Sequence, residues 1–331
     1  MTERVIQQNH RETPQRNYIN GVQTLNRRFR FGLERSFETT IISPDGRREF
    51  TAVLDREKRA APQRLVVVKM HDDDEAIALH TIKKLADKGV GVFFITVTNG
   101  NGRPRDAHTP DEVAEKRRLE GVAAAEKMGV AAYINLDYHD MQVSDRAADI
   151  KRTLVPYLRM IDPTMVMTLH PEDHNPDHAA GADIVYDALY RARNTYLTDE
   201  IAIPLSQEIP ALYYMDPQSL VDRTGQIIPP GIFVKVRKKE KPHLADVVLT
   251  YETQYTHPSQ LQEFEDRVRE RGRPLRWRYG AEGLSQDKKG AFLSKRDILR
   301  ELLDREVVVN GSKRYYARRV FGRESRPVWE F

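Results

Sequence analysis

Five consecutive residues, His71-Asp72-Asp73-Asp74-Glu75, follow directly on the apolar run Leu65-Val66-Val67-Val68-Lys69-Met70. A run of that kind suits a buried parallel strand, so four carboxylates and an imidazole stand where a strand ends. Without a counter-charge the acids would repel one another and raise their own pKa values, and a bound cation is the economical neutraliser. A second cluster, Thr168-Leu169-His170-Pro171-Glu172-Asp173-His174-Asn175-Pro176-Asp177-His178, follows another apolar run, Met165-Val166-Met167. Two oxygen- and nitrogen-rich clusters at strand ends suggest one metal site built from both. The chain has no cysteine, which excludes disulfides and thiolate ligands and leaves His, Asp and Glu as the strong ones.

The elements that must position these clusters read as follows. Residues 1 to about 35 are polar, Asn/Gln/Arg-rich and without a period, an arm rather than a core element. Ser36 to Ile42 and Arg47 to Leu54 flank Ser43-Pro44-Asp45-Gly46 and predict a hairpin. From residue 64 strands and helices alternate. The first strand is followed by a helical face of Ile77, Leu79, Ile82, Leu85 and Ala86 ending at Gly89, and then by a strand over Val90 to Val97. Thr109-Pro110-Asp111-Glu112 is a capping box opening a helix that runs to Met128-Gly129. A strand at Ala131 to Leu136, a helix over about 145 to 160, a strand at Thr164 to Leu169 and a helix from Asp177 to Arg193 complete the alternation. Ala211 to Met215 reads as a further strand and Leu261 to Arg271 as a charged helix, while residues 280 to 331 carry no interpretable motif.

This order predicts an α/β fold: a Rossmann-like, doubly wound, mostly parallel sheet with the metal site at the carboxyl edge of its strands, plus N- and C-terminal extensions. The polar segments all fall on that edge: His71 to Glu75, Asn99 to Gly102, Asp137 to Asp140 and His170 to His178. The expected division is an arm and hairpin over residues 1–62, a catalytic domain over 63–265 and a basic extension over 266–331.

His-x-Asp-Asp-Glu after a first parallel strand, with an Asx/His-Pro-Asp-His segment about a hundred residues later, resembles the LmbE-like (PIG-L) family of zinc-dependent N-acetylglucosaminyl deacetylases. Supporting matches are Val97-Thr98-Asn99-Gly100, Arg117-Arg118-Leu119-Glu120 and His257-Pro258-Ser259-Gln260. The resemblance covers about residues 64 to 260. It implies His71, Asp74 and His178 as zinc ligands and Asp73 as general base. It implies Arg117 as a substrate-recognition residue, with Asp140 and His257 as weaker candidates for the pocket wall. Independently, three ligands and an open position are what a hydrolytic zinc site needs. Two departures stand out. Asp72 replaces the family's proline, and Asn175 replaces the histidine thought to stabilise the oxyanion, with His174 displaced one position earlier. Asn175 can itself donate a hydrogen bond to the oxyanion but supplies neither charge nor proton, and His174 or His170 is the alternative donor.

Each element also has a plainer explanation. An acidic run at a helix start complements the helix dipole, Asp177 suits a helix cap or a support for a ligand histidine, and His80 fits packing. The reaction expected is removal of an acyl group, acetyl above all, from an N-acetylated amino sugar or its conjugate, a small-molecule substrate. The rivals are a metal-dependent phosphoesterase and a metal-stabilised sugar- or nucleic-acid-binding protein without turnover. Residues 267–331 hold 18 Lys/Arg against 9 Asp/Glu, yet no nucleic-acid motif accompanies them, and such a tail is more often solvated surface or a contact within a homo-oligomer. No apolar run approaches the ~20 residues that span a bilayer, and no signal-peptide core opens the chain, so the expectation is a cytoplasmic protein.

Overall fold

A computed structural model describes residues 37–43, 46–102, 109–195, 203–217, 219–255, 258–287, 290 and 293–309. Ten strands form one sheet in the order β1-β2-β5-β4-β3-β6-β7-β9-β8-β10. They are β1 Phe37–Ile42, β2 Arg48–Val53, β3 Arg64–Lys69, β4 Gly91–Thr98, β5 Ala132–Tyr138, β6 Met165–Thr168, β7 Ala211–Met215, β8 Ile232–Lys235, β9 Ala281–Gln286 and β10 Val307–Val309. The middle five, β5-β4-β3-β6-β7, are parallel and carry antiparallel strands on both flanks. The sheet is the mixed, largely parallel one expected, and its centre is dry: Leu65 to Val68 are fully buried.

From β3 the chain moves one way to β4 and β5, then returns to lay β6 on the other side of β3. That reversal opens a crevice at the carboxyl ends of β3 and β6, where ligands collect in open α/β sheets. Both polar clusters of the sequence emerge there. Ala147–Ile161 packs against Pro176–Ala192, and Pro110–Met128 packs against Lys241–Val248 and Leu79–Asp87. No helix is long and apolar enough to cross a membrane among the described residues.

The predicted hairpin forms with β1 antiparallel to β2, closed by Ser43 N–H donating to Arg47 O and Gly46 N–H to Ser43 O, each 2.9 Å. It then joins the main sheet through β2 and β5, and β8, β9 and β10 extend the opposite flank. The capping box forms as read: Thr109 Oγ1 accepts from Glu112 N–H while Glu112 accepts from Thr109 N–H. In that helix Gly121 lies over the site's underside. A Cβ there would come within 2.8 Å of Tyr133 Oη and 2.9 Å of Asp72 Oδ1.

One expected element differs in detail. The helix predicted after β3 starts as a 3₁₀ turn, Asp74–Ala78, before the α-helix Leu79–Asp87. The cause is tertiary: Asp74 and Glu75 are turned inward to polar partners, and the amides of His80 and Thr81 are taken by Glu282 of β9 at 2.8 and 2.7 Å.

Candidate metal centre

The sequence presents Asp72 to Glu75 as one acidic cluster that a cation would neutralise, but the fold gives each carboxylate a different surrounding. Glu75, fully buried, accepts from Lys69 Nζ at 2.6 Å and from the Tyr251 hydroxyl. Burial still pushes its pKa up, against the pull of Lys69. Asp72, also buried, accepts from Tyr133 Oη at 2.6 Å, and burial raises its pKa as well. Asp73 is half-buried and accepts from Tyr255 Oη at 2.5 Å. Only Asp74 faces the histidines. The neutralising charge for Glu75 is thus the buried Lys69, and removing one partner of such a pair costs about 3–5 kcal/mol.

Asp74 Oδ2 accepts the backbone N–H groups of Met70 and His71 at 2.9 and 2.8 Å. That leaves Oδ1 pointing at two imidazoles, 3.2 Å from His178 Nε2 and 3.6 Å from His71 Nδ1, while those two nitrogens are 3.1 Å apart. The outer nitrogen of each ring meets a carboxylate: His71 Nε2 is 2.9 Å from Asp140 Oδ1, and His178 Nδ1 is 3.0 Å from Asp173 Oδ2. In the neutral ring an acceptor on the outer nitrogen holds the proton there, so both inner nitrogens turn lone pairs to one spot. The spot selects for positive charge. Burial opposes a charged His178, but Asp74 outweighs it and carries the imidazole up to about 9. Burial likewise opposes ionised Asp74, and His178 and His71 nonetheless hold it well below the usual carboxylate range. A metal ion satisfies the same three atoms.

A second grouping, His71, Asp140 and Asp177, has ligating atoms equally near one another. Its carboxylates are already engaged. Asp177 accepts Met141 N–H at 2.8 Å and Val143 N–H at 3.3 Å, and Asp140 accepts Met141 N–H at 3.0 Å besides facing His71. Asp140 and Asp177 are thus placed as supports of His71, and His71, Asp74 and His178 remain the candidate ligand set.

Residues 66–189, which hold every group of this cluster, match the GlcNAc-PI de-N-acetylase family. This segment is similar to the PIG-L family. A curated relative, the diacetylchitobiose deacetylase of Thermococcus kodakarensis, is 31% identical over 122 residues, 35% of this chain and 45% of that protein. The match thus spans less than half of the relative's length. The N,N'-diacetylchitobiose deacetylase of Pyrococcus horikoshii superposes with a TM-score of 0.59 at 21% identity, over 69% of this chain and 85% of that one. The 4-carboxy-2-hydroxymuconate hydratase of Pseudomonas putida superposes with a TM-score of 0.55 at 18% identity, over 71% of this chain and 99% of that one. These two likenesses concern the fold.

The PIG-L segment is braced from beyond its end. Tyr251 Oη donates to Asp72 O at 2.7 Å as well as to Glu75, Tyr255 Oη reaches Asp73, and Arg267 Nη2 donates to Ile77 O at 2.8 Å. With Glu282 on His80 and Thr81, four residues from 251–282 hold the loop that carries Asp73 and Asp74. Sequence reading misses all four, and it also misses Asp173, although Asp173 lies inside the second motif. An acid five residues before a candidate ligand histidine is the only signal that could have found it.

The remaining candidates are placed as follows. Arg117 is buried, and a Cβ on Gly100 would lie 2.4 Å from its Nη1, so the glycine makes room for the guanidinium beside the loop after β4. Asn175 is the N-cap of Pro176–Ala192, its Oδ1 accepting from Asp177 N–H at 2.9 Å. His174 is exposed, with Nδ1 3.3 Å from Ser219 Oγ. His170 is buried edge-on to Tyr214, and burial pushes its pKa down in spite of Asp216. His80 is buried with Nδ1 2.7 Å from Glu282. His257 lies outside the described residues.

Proposed function

We propose that the chain is a zinc-dependent amidohydrolase that removes an acyl group, acetyl in the first instance, from the nitrogen of an N-acetylated amino sugar or its conjugate. The observation that carries this reading is the triangle of Asp74 Oδ1, His71 Nδ1 and His178 Nε2 with Asp73 at its side. The edges of 3.1, 3.2 and 3.6 Å bracket the ~3.3 Å that separates tetrahedral ligands about 2.05 Å from zinc. A zinc ion held by these residues would supply Lewis acidity and water made acidic enough to ionise near neutral pH.

The chain's own groups then divide the work. Asp73, the half-buried carboxylate of the four, takes the proton of the attacking water and returns it to the departing amine. Tyr255 holds Asp73 through one oxygen and leaves the other for that transfer. Arg117 contributes positive charge beside the loop after β4, suited to a polar substrate. Paired-metal phosphoester cleavage would need two separate ligand sets, and the two groupings among the described residues share His71. The fold also carries a hydratase, so the reaction is argued from the site and not from the fold.

The decisive experiment incubates the zinc-loaded chain with a panel of N-acetylated sugars and measures free amine. Amine release that is lost on chelation and restored by zinc is the expected result, and release of phosphate from phosphoesters without amine would overturn the reading. In the same protein, Asp173→Ala should weaken metal binding by about 10- to 100-fold in a chelator competition, because it removes the acceptor that fixes the His178 tautomer.

A further inference from the structure

Lys69 and Glu75 flank the run His71 to Asp74 and are both fully buried, and the division of work above gives neither a task in the reaction. Lys69 Nζ donates to Asp72 O at 2.5 Å and to Glu75 Oε2 at 2.6 Å. Tyr251 Oη lies 2.7 Å from the same Asp72 O and also reaches Glu75 Oε1. These contacts close a ring, from Lys69 to Asp72 O to Tyr251 to Glu75 and back to Lys69. We propose that the ring is a positioning device for Asp73: it fixes the peptide between Asp72 and Asp73 and so aims the carboxylate that takes the water's proton. This rests on the reading of Asp73 as the general base.

Three observations support the assignment. The first is which atoms are held. Asp72 O is the carbonyl of the peptide that enters Asp73, and its two lone pairs face a charged ammonium and a phenol. The carbonyl of the next peptide, Asp73 O, accepts Ala76 N–H at 3.1 Å. With both neighbouring peptide planes fixed, the direction of the Asp73 side chain from the backbone is set, and Tyr255 then restrains its carboxylate. Asp73 itself sits at φ −92°, ψ 1°, in the bridge region common among active-site residues.

The second is closure. Besides Asp72 O and Glu75, the Lys69 ammonium faces the Phe94 ring, 4.6 Å from its centre, so the cation has a partner on each side that it presents and little freedom to turn. Lysine and glutamate charges cancel inside the ring, which therefore stands without help from the metal cluster. The third is energetic. A buried ion pair is often no better for stability than apolar residues of similar volume, and the fully buried Val66, Val67 and Val68 show that β3 takes apolar side chains freely. The lysine is accounted for by what its ammonium holds. Because Tyr251 lies outside residues 66–189, the later part of the chain takes a share in aiming the base.

The test opens the ring and leaves the base in place. Tyr251→Phe is compared, in the zinc-loaded full chain, with Tyr133→Phe, which deletes the same hydroxyl from the side chain of Asp72 and leaves the peptide untouched. On whichever N-acetylated sugar wild type hydrolyses fastest, Tyr251→Phe should lower kcat about tenfold or more with zinc content and KM within about twofold of wild type, since small misplacements of a reacting group are costly. Tyr133→Phe should keep kcat within about threefold even where the two variants lose similar melting temperature. A kcat loss in Tyr251→Phe no larger than that in Tyr133→Phe, or a loss confined to KM, would overturn the proposal. If Tyr251→Phe does not fold, the double variant Lys69→Met with Glu75→Gln, which removes both charges together, is read in the same way. If wild type releases amine from no sugar, the deacylase reading has failed, and hydrogen exchange judges the ring alone. Relative to Val67 N–H in β3, the Ala76 N–H that holds Asp73 O should then exchange about tenfold faster or more in Tyr251→Phe than in wild type, and an unchanged ratio would overturn the ring as a restraint on the loop.

Discussion

Asp73→Asn is expected to keep fold and metal while lowering amide hydrolysis by about 100- to 10,000-fold, the range of a general base. The amide is nearly isosteric with the carboxylate and can still accept the Tyr255 hydroxyl through its carbonyl oxygen. It has no basic oxygen for the water's proton. Asp73 is the only residue of the acidic run for which this separation is clean. Asp74 shares its carboxylate between two backbone amides and the two histidines, Glu75 is paired with buried Lys69, and Asp72 lies against Tyr133. Tyr255→Phe provides the comparison: it removes a restraint on the carboxylate and leaves the base, so its loss in kcat should be smaller than that of Asp73→Asn. Near wild-type turnover by Asp73→Asn with metal bound would refute the mechanism even if the ligand set stands.

Asn175 bears on the same step. Its Oδ1 caps the helix that carries His178, so Asn175→Ala removes a cap worth about 0.5–2 kcal/mol in addition to any contact with the oxyanion. A fall in melting temperature with turnover nearly retained would leave it a capping residue. A loss of about 100-fold would make its Nδ2–H the oxyanion donor.

The sequence made the centre of the sheet legible because parallel strands buried on both faces are continuous apolar runs, and their ends fall where polar residues begin. Val66 to Val68 and Met165 to Met167 each mark a strand whose next residues form the site. The capping box at Thr109 and Glu112 is equally explicit, since both side chains serve neighbouring amides. What lay hidden depends on partners distant in the chain. β9, Ala281-Glu282-Gly283-Leu284-Ser285-Gln286, has no clean alternation, and its one acid is buried because it caps a helix some 200 residues earlier. Nothing near Tyr255 in sequence points to Asp73, 182 residues away. The acidic run read as one charge cluster because repulsion is visible in sequence, whereas the lysine and tyrosines that separate its members become visible only once the strands and the C-terminal segment are packed together.

Alanine at His71, Asp74 or His178 is expected to lower zinc content well below one per chain, since a three-ligand site loses most of its affinity with any ligand. The three losses should differ in what accompanies them. His71→Ala and His178→Ala remove one inner nitrogen each and strand Asp140 or Asp173 without a ring to orient, with the backbone of the loop still held by Asp74. Asp74→Ala also removes the acceptor of the Met70 and His71 amides at the end of β3, and buried N–H groups left unpaired cost about 1–3 kcal/mol each. It should lower the melting temperature more than either histidine variant with metal already stripped from all the proteins, because it removes both the charge partner of the imidazoles and the two amide contacts. Elemental analysis and metal-free melting curves together separate ligand loss from unfolding. Full zinc occupancy in all three variants would place the metal elsewhere. Equal metal-free melting temperatures would show that Asp74 does not brace the strand end, whatever it does for the ion.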